Sequence, residues 1–223
     1  LAKSMDDWPA IFLHDSEEPL MTTPRDLLIV AMDMESSHPV EQGDLSLALA
    51  GAEVIDLLGA QAIRLDGDHI VPGEQPALAD HLLDEAAASL VREAPYESVA
   101  DWLWRRGRGL SAAYQAALEA EGQLIRQPRR GISFRSGQLV LVDSAARRQA
   151  ADRWASDEPV LVTLAEAVGV RGKRTGDSPD VADDTVATVL AAVNDTLVEL
   201  AAVRQRRSIE DAAFDNIWRG GAG

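Results

Sequence analysis

Residues 45–58 are apolar on almost every side of a helix, with only Ser46, Glu53 and Asp56 forming a thin polar stripe. A helix of this kind has no face to offer water, so it is stable only where other elements surround it. The rest of the chain is thereby constrained to pack around it. Asp44 is the natural N-cap for this helix. Gly51 in its middle costs about 1 kcal/mol relative to Ala, which predicts that another backbone packs closely there.

The flanking sequence supplies the surrounding elements. Pro9, Pro19 and Pro24 break any periodicity before position 24, which predicts an irregular leader over 1–23 with Pro24 on a first helical turn. Asp26 to Asp33 reads as a short apolar helix. Ile63 to Val71 alternates around Asp66-Gly67, the pattern of a tight hairpin. Leu82, Leu83, Ala86, Ala87, Leu90 and Val91 follow helical spacing, and Ser98 opens a helix holding Trp102 and Trp104. Those two indoles are about 200° apart on a helix, which predicts one in the core and one at its edge.

Ser111 to Glu121 reads as a helix stopped by Gly122, followed by strands at about 123–127 and 137–142. Helices follow at about 145–155, 159–168 and 180–204, the last with an apolar stripe of Val186, Val189, Leu190, Val193, Leu197 and Leu200. The expected fold is mainly α: a single-domain helical bundle over 24–215 around a buried central helix, with small β-hairpins and a flexible tail over 216–223.

Charge limits the partners. The chain carries a net −16, yet residues 101–150 hold nine Arg against four acids. The whole molecule repels nucleic acid and anionic surfaces at long range, but screening over about 8–10 Å lets a local basic island act. The nineteen Arg and two Lys match the usage of a GC-rich bacterial gene. Without cysteine there is no disulfide or thiolate chemistry. No uninterrupted apolar run approaches the ~18 residues of a membrane span, and residues 1–23 lack the basic start and apolar core of a signal peptide. A cytoplasmic protein without a transmembrane segment, peripheral at the inner face of a membrane, is the expectation.

His14, His38, His69 and His81 lack metal-ligand spacing, and Ser133 lacks the second glycine of a nucleophile elbow. No acid, base and stabiliser combine, so neither an enzyme nor a cofactor is expected.

The island itself points to an anion. Trp104-Arg105-Arg106-Gly107-Arg108-Gly109 runs into the helix start at Ser111, where backbone N–H groups and guanidinium forks favour phosphate. Arg105, Arg106, Arg108 and Ser111, with Trp104 at the edge, are the candidate ligands of a phosphorylated or anionic lipid head group. Gly107-x-Gly109-x-x-Ala112 imitates a dinucleotide fingerprint, but a helix precedes it where a strand is required. An equally weighted reading makes the basic hairpin, with Arg126, Arg129, Arg130 and Arg135, a docking surface for an acidic face of a second copy or a partner. A third reading is a winged-helix regulator. Its recognition helix over 111–121 contains no base, which makes nucleic acid an unfavourable partner.

In order and spacing the chain resembles the Golgi phosphoprotein 3 family. The match comprises Asp26-Leu-Leu-Ile-Val-Ala-Met-Asp33, Leu47-Ala-Leu-Ala-Gly-Ala-Glu-Val-Ile-Asp-Leu-Leu58, Leu82-Leu-Asp-Glu-Ala86, Trp102, the helix from Arg108 to Gly122 and the hairpin after it, over about residues 25–145. The resemblance implies a helical, non-catalytic, peripheral membrane protein. It also implies a pocket of Trp and basic residues for phosphatidylinositol 4-phosphate, and self-association through the hairpin. Of the implied pocket positions, Arg108 is kept. The Trp position falls at about Glu41, one Arg position at Ala50, and a second basic position at Ser111.

Overall fold

The computed structural model describes residues 22–34, 40–74, 77–127, 138–170 and 181–220, with side chains up to 212. Among these residues are eight helices and two antiparallel hairpins. The helices are α1 (Thr23–Asp33), α2 (Gln42–Gly59), α3 (His81–Ala88), α4 (Val99–Arg106), α5 (Leu110–Ala120), α6 (Ala145–Ala155), α7 (Pro159–Ala167) and α8 (Asp184–Gly220). The strands are β1 (Ile63–Asp66), β2 (His69–Pro72), β3 (Leu124–Gln127) and β4 (Gln138–Leu141). The fold is mainly α, as the apolar patterning requires.

The all-round apolar segment is the centre. α2 touches α1, α3, α4, α5, α7, α8 and β1, and Leu49, Ala52, Val54 and Leu57 along it are fully buried. Each such Leu or Val contributes about 1.5–3 kcal/mol by leaving water. The helix starts earlier than its sequence suggests: Glu41 holds the N-cap position and Asp44 lies in the first turn. Asp44 thus lies inside the helix, where its carboxylate accepts from Arg204 of α8 at 2.7 Å. At Gly51 the close neighbour is a side chain and not a backbone: a methyl group added there would stand 2.3 Å from Cγ2 of Val193. Gly51 is what lets α8 lie directly on α2.

Caps and turns delimit the remaining elements. Asp80 accepts from the backbone N–H groups of Leu82 and Leu83 to start α3, and Ser98 accepts from that of Asp101 to start α4. α3 ends at Ala88, so Leu90 and Val91 lie beyond it; the Ser89 hydroxyl turns back to the Ala86 carbonyl, and Leu90 stays buried without being helical. β1 pairs with β2 from Ile63–Pro72 to Asp66–His69, leaving Gly67 (φ 61°) and Asp68 as the turn. Gly122, at φ 71°, follows α5 as expected.

α1 faces charge as well as the apolar core. Its Arg25 pairs with Asp80 and Glu121, and its Asp26 with Arg153 at 2.5 Å, all five groups except Glu121 being wholly or largely withdrawn from water. The backbone N–H of Thr23 donates to Asp56 of α2 at 2.7 Å. Burial pushes the Asp56 carboxyl up to about 6, against the opposing pull of the Thr23 hydrogen bonds.

α8 buries the stripe that its sequence announces: Val189, Leu190, Val193 and Leu197 are in the core, with Val186 and Leu200 at its margin. It begins later than expected, at Asp184, and continues past 204 and past the expected tail boundary, so that 216–220 are helical. Between Asp184 and Ala212 it also holds an eighteen-residue stretch of mean hydropathy 1.6, of which 22% is buried. By length and composition alone this stretch is long and apolar enough to cross a membrane, a test that core helices of water-soluble folds also pass. Scattered Thr, Asn, Asp and Glu interrupt the run without lowering its average much. Its apolar stripe is engaged with α2, α4 and α7.

Candidate functional site

The site is the junction where α4 ends, α5 begins and α2 starts beneath them. Arg106 closes α4, Gly107 follows in αR conformation, and Gly109 at φ 71° turns the chain into α5. Gly107 is buried: a methyl group there would sit 3.2 Å from the Leu47 side chain and 3.4 Å from the Ser46 carbonyl. The small residue therefore lets this turn rest on α2, and Arg108 is presented outward from the tight contact.

The two helix starts are tied by a polar seam. The Ser46 and Ser111 hydroxyls are 3.0 Å apart, the Ser46 hydroxyl donates to the Gln42 carbonyl at 2.7 Å, and the Ser111 N–H donates to the Ser46 oxygen at 3.1 Å. Both serines are buried. Above the seam lies a hollow of about 350 Å³, lined by Gln42, Gly43, Ser46 and Leu47 of α2, Trp104 of α4, Gly107 to Gly109, Ser111 and Ala112 of α5, and Leu200 of α8. That volume is at the small end of ligand sites. The N-termini of α2 and α5 both border it, as does the C-terminal end of α4, so two positive helix ends and one negative end meet around one space.

The five expected head-group ligands divide. Arg108 is exposed, lines the hollow and has no ion-pair or hydrogen-bond partner among the described residues. Trp104 is half-buried in its wall, with its indole N–H donating to Glu199 of α8 at 3.3 Å. Ser111 lines it too, but its N–H and hydroxyl are already engaged in the seam.

Arg105 and Arg106 do not join them. Arg105 forms a two-pronged pair with Glu97, 2.7 Å on each prong, and lies 4.9 Å over the Trp102 ring. Arg106 turns inward to Glu53, donating at 2.8 and 2.9 Å, and also donates to the Leu82 carbonyl. Glu53 is wholly buried; burial raises its pKa, while Arg106 and then the Tyr114 hydroxyl oppose that rise. Each of the two guanidinium groups expected to serve a ligand faces an acid in the structure, Arg105 one eight positions away and Arg106 one fifty-three positions away.

The indoles split as their angular separation predicts, Trp102 wholly buried and Trp104 at the edge. In the hairpin, Arg126 pairs with Glu119 at 2.8 Å, whereas Arg129, Arg130 and Arg135 lie outside the described residues. α5 buries Leu110, Tyr114 and Leu118, and its most exposed positions are Ala112, Ala116 and Ala120, a face with no base to meet a nucleic-acid phosphate.

The α8 side of the hollow is not evident from the sequence. Leu200 reads as a core position, Glu199 as surface, and nothing places either one beside Trp104. Arg204, one turn beyond Leu200, lies against Gly43, with one guanidinium nitrogen 2.6 Å from where a methyl group on Gly43 would be. A larger hollow of about 740 Å³ opens at the far end of α2, between Ile55, Leu58, β1 and Val186. Its rim sets Arg64 against Glu74 and Asp183, a balance that disfavours phosphate.

A family model described as Golgi phosphoprotein 3 (GPP34) matches residues 24–211. The chain belongs to the Golgi phosphoprotein 3 family. The matched segment runs from the first turn of α1 through the described side chains of α8, so family membership extends over the C-terminal helices as well as the motifs ending near 145. Comparison with the curated proteins gives no match.

Proposed function

We propose that this family member is a non-enzymatic, cytoplasmic protein that attaches peripherally to a membrane by holding an anionic lipid head group, or another phosphorylated ligand, in the hollow between α2, α5 and α8. The observation that carries the reading is Arg108. Of the four Arg in the described part of the island before β4, Arg105, Arg106 and Arg126 face carboxylates, while Arg108 stands unpaired on a hollow bordered by two helix N-termini. It is also the position that the family resemblance assigns to the head-group site. Ala50 and Ser111 at the two lost basic positions, with Glu41 at the Trp position, imply a ligand held by fewer cations, hence weaker binding with a shallower salt dependence than a fully basic pocket gives.

The test is co-sedimentation with phosphatidylcholine vesicles, with and without phosphatidylinositol or its 4-phosphate, using wild type and Arg108→Ala. Binding that requires the anionic lipid, falls with salt and disappears in the variant is expected. Binding that the variant retains, or none to either lipid, overturns the reading.

One observation favours the second reading, self-association through the hairpin. Ile125 on β3 is 46% exposed on a two-stranded sheet whose outer edges are unpaired. Light scattering of wild type and Ile125→Lys decides it: a concentration-dependent dimer lost in the variant supports the hairpin, and a monomer throughout removes it.

A further inference from the structure

We infer that Arg204 is the second phosphate-holding cation of the site, kept in reserve by Asp44 until a phosphate ester takes the hollow; this rests on the reading of the hollow as a phosphate site.

The geometry is specific. One Nη of Arg204 donates to Asp44 at 2.7 Å. The other lies over Gly43, which lines the hollow, at 2.6 Å from the position a methyl group there would take. The guanidinium thus lies close against Gly43, next to the residues that line the hollow, where an added methyl group would make it shift, with its second nitrogen free of any partner among the described residues. It is carried on the same face of α8 as Leu200, itself part of the wall, one helical turn away. Both members of the pair retain contact with water, the side chains being 38% and 25% exposed, so exchanging one anion for another does not require opening the core.

The surroundings explain why Arg204 is paired with Asp44. Arg204 stands at the N-terminus of α2, where the helix dipole opposes a cation. A carboxylate in that turn offsets the repulsion. A phosphate entering the hollow meets the same dipole favourably, and its several oxygens can accept from Arg108 and from Arg204 together, as planar guanidinium forks allow. The ligand is therefore a phosphate ester bridging two guanidinium groups, one from the α4–α5 turn and one from α8. Asp44 acts as the internal competitor.

Two variants break the same ion pair with opposite consequences. Arg204→Gln removes a ligand and is expected to weaken binding to vesicles of phosphatidylcholine containing phosphatidylinositol 4-phosphate by about ten-fold or more. Asp44→Asn removes the competitor and is expected to tighten it several-fold. Gly43→Ala, which displaces the guanidinium without changing any charge, is expected to weaken it. A purely structural ion pair would move the first two variants in the same direction.

If both weaken binding, or neither changes it, while Arg108→Ala abolishes it, Arg204 is no ligand and the hollow remains the site. If Arg108→Ala is also silent, the site itself is wrong. Soluble glycerol 3-phosphate distinguishes the source: opposite signs with this probe as well as with vesicles assign the site to phosphate esters in general, and opposite signs with vesicles alone assign it to a lipid surface.

Discussion

Arg106 and Glu53 meet across the seam between α4 and α2 through two parallel hydrogen bonds of 2.8 and 2.9 Å, with Glu53 wholly removed from water. The pair neutralises the most deeply placed cation of the basic island among the described residues. Removing only Arg106 leaves a buried carboxylate whose remaining listener is the Tyr114 hydroxyl at 3.1 Å. Arg106→Ala is expected to lose about 3–5 kcal/mol of stability. Urea denaturation at neutral pH measures it, and a loss near zero would show that the pair does not hold α4 to α2.

Arg105 offers the contrast. Its side chain is 43% exposed and its pair with Glu97 lies at the surface. Arg105→Ala is expected to cost about 1 kcal/mol or less and to leave vesicle binding as in wild type. A marked loss of vesicle binding in a variant of unchanged melting temperature would return Arg105 to the site.

Gly51 predicts a substitution that defies helix propensity. Alanine there gains about 1 kcal/mol in an isolated helix, yet its methyl would stand 2.3 Å from Val193. Overpacking of this kind costs about 1–3 kcal/mol. Gly51→Ala is expected to lower the melting temperature, and Val193→Ala added to it is expected to cost less than it does alone. Additive losses would place the strain elsewhere.

Asp56 predicts a pH dependence. Burial raises its carboxyl from 3.8 to about 6, so between these values the folded chain keeps a proton that the unfolded chain releases. Its contribution to stability is complete below about 4 and is lost as the pH rises to about 6, a swing of up to about 3 kcal/mol. Asp56→Asn never ionises and still accepts from the Thr23 N–H. It is expected to melt higher than wild type at pH 7.5 and equally at pH 4. An Asn variant that melts lower at pH 7.5 would show that the charged form is the one the fold prefers.

The sequence discloses what is local. The all-round apolarity of 45–58, the cap Ser98, the Gly67 turn and the α8 stripe each depend on neighbours a few residues away, and each appears where its pattern places it. The partners of the charges are not local. Arg106 finds Glu53 fifty-three positions earlier, and Arg204 finds Asp44 at a separation of 160. A count of Arg along residues 101–150 therefore registers a basic island, whereas the folded surface near the hollow offers one unpaired guanidinium. The α8 wall is hidden for the same reason: Glu199, Leu200 and Arg204 acquire meaning only once the helix is docked by Val193 and Leu197.

That docking sets a schedule. A chain emerging from the ribosome N-terminus first has Arg108 and the α5 turn in hand some ninety residues before Leu200 and Arg204, the number being about the difference of their positions. Until α8 is synthesised and seated over Gly51, the hollow lacks a side and Trp104 lacks Glu199. The hollow proposed as the ligand site is thus complete only after α8 has been made, and a chain stopped before it carries the basic turn without this wall.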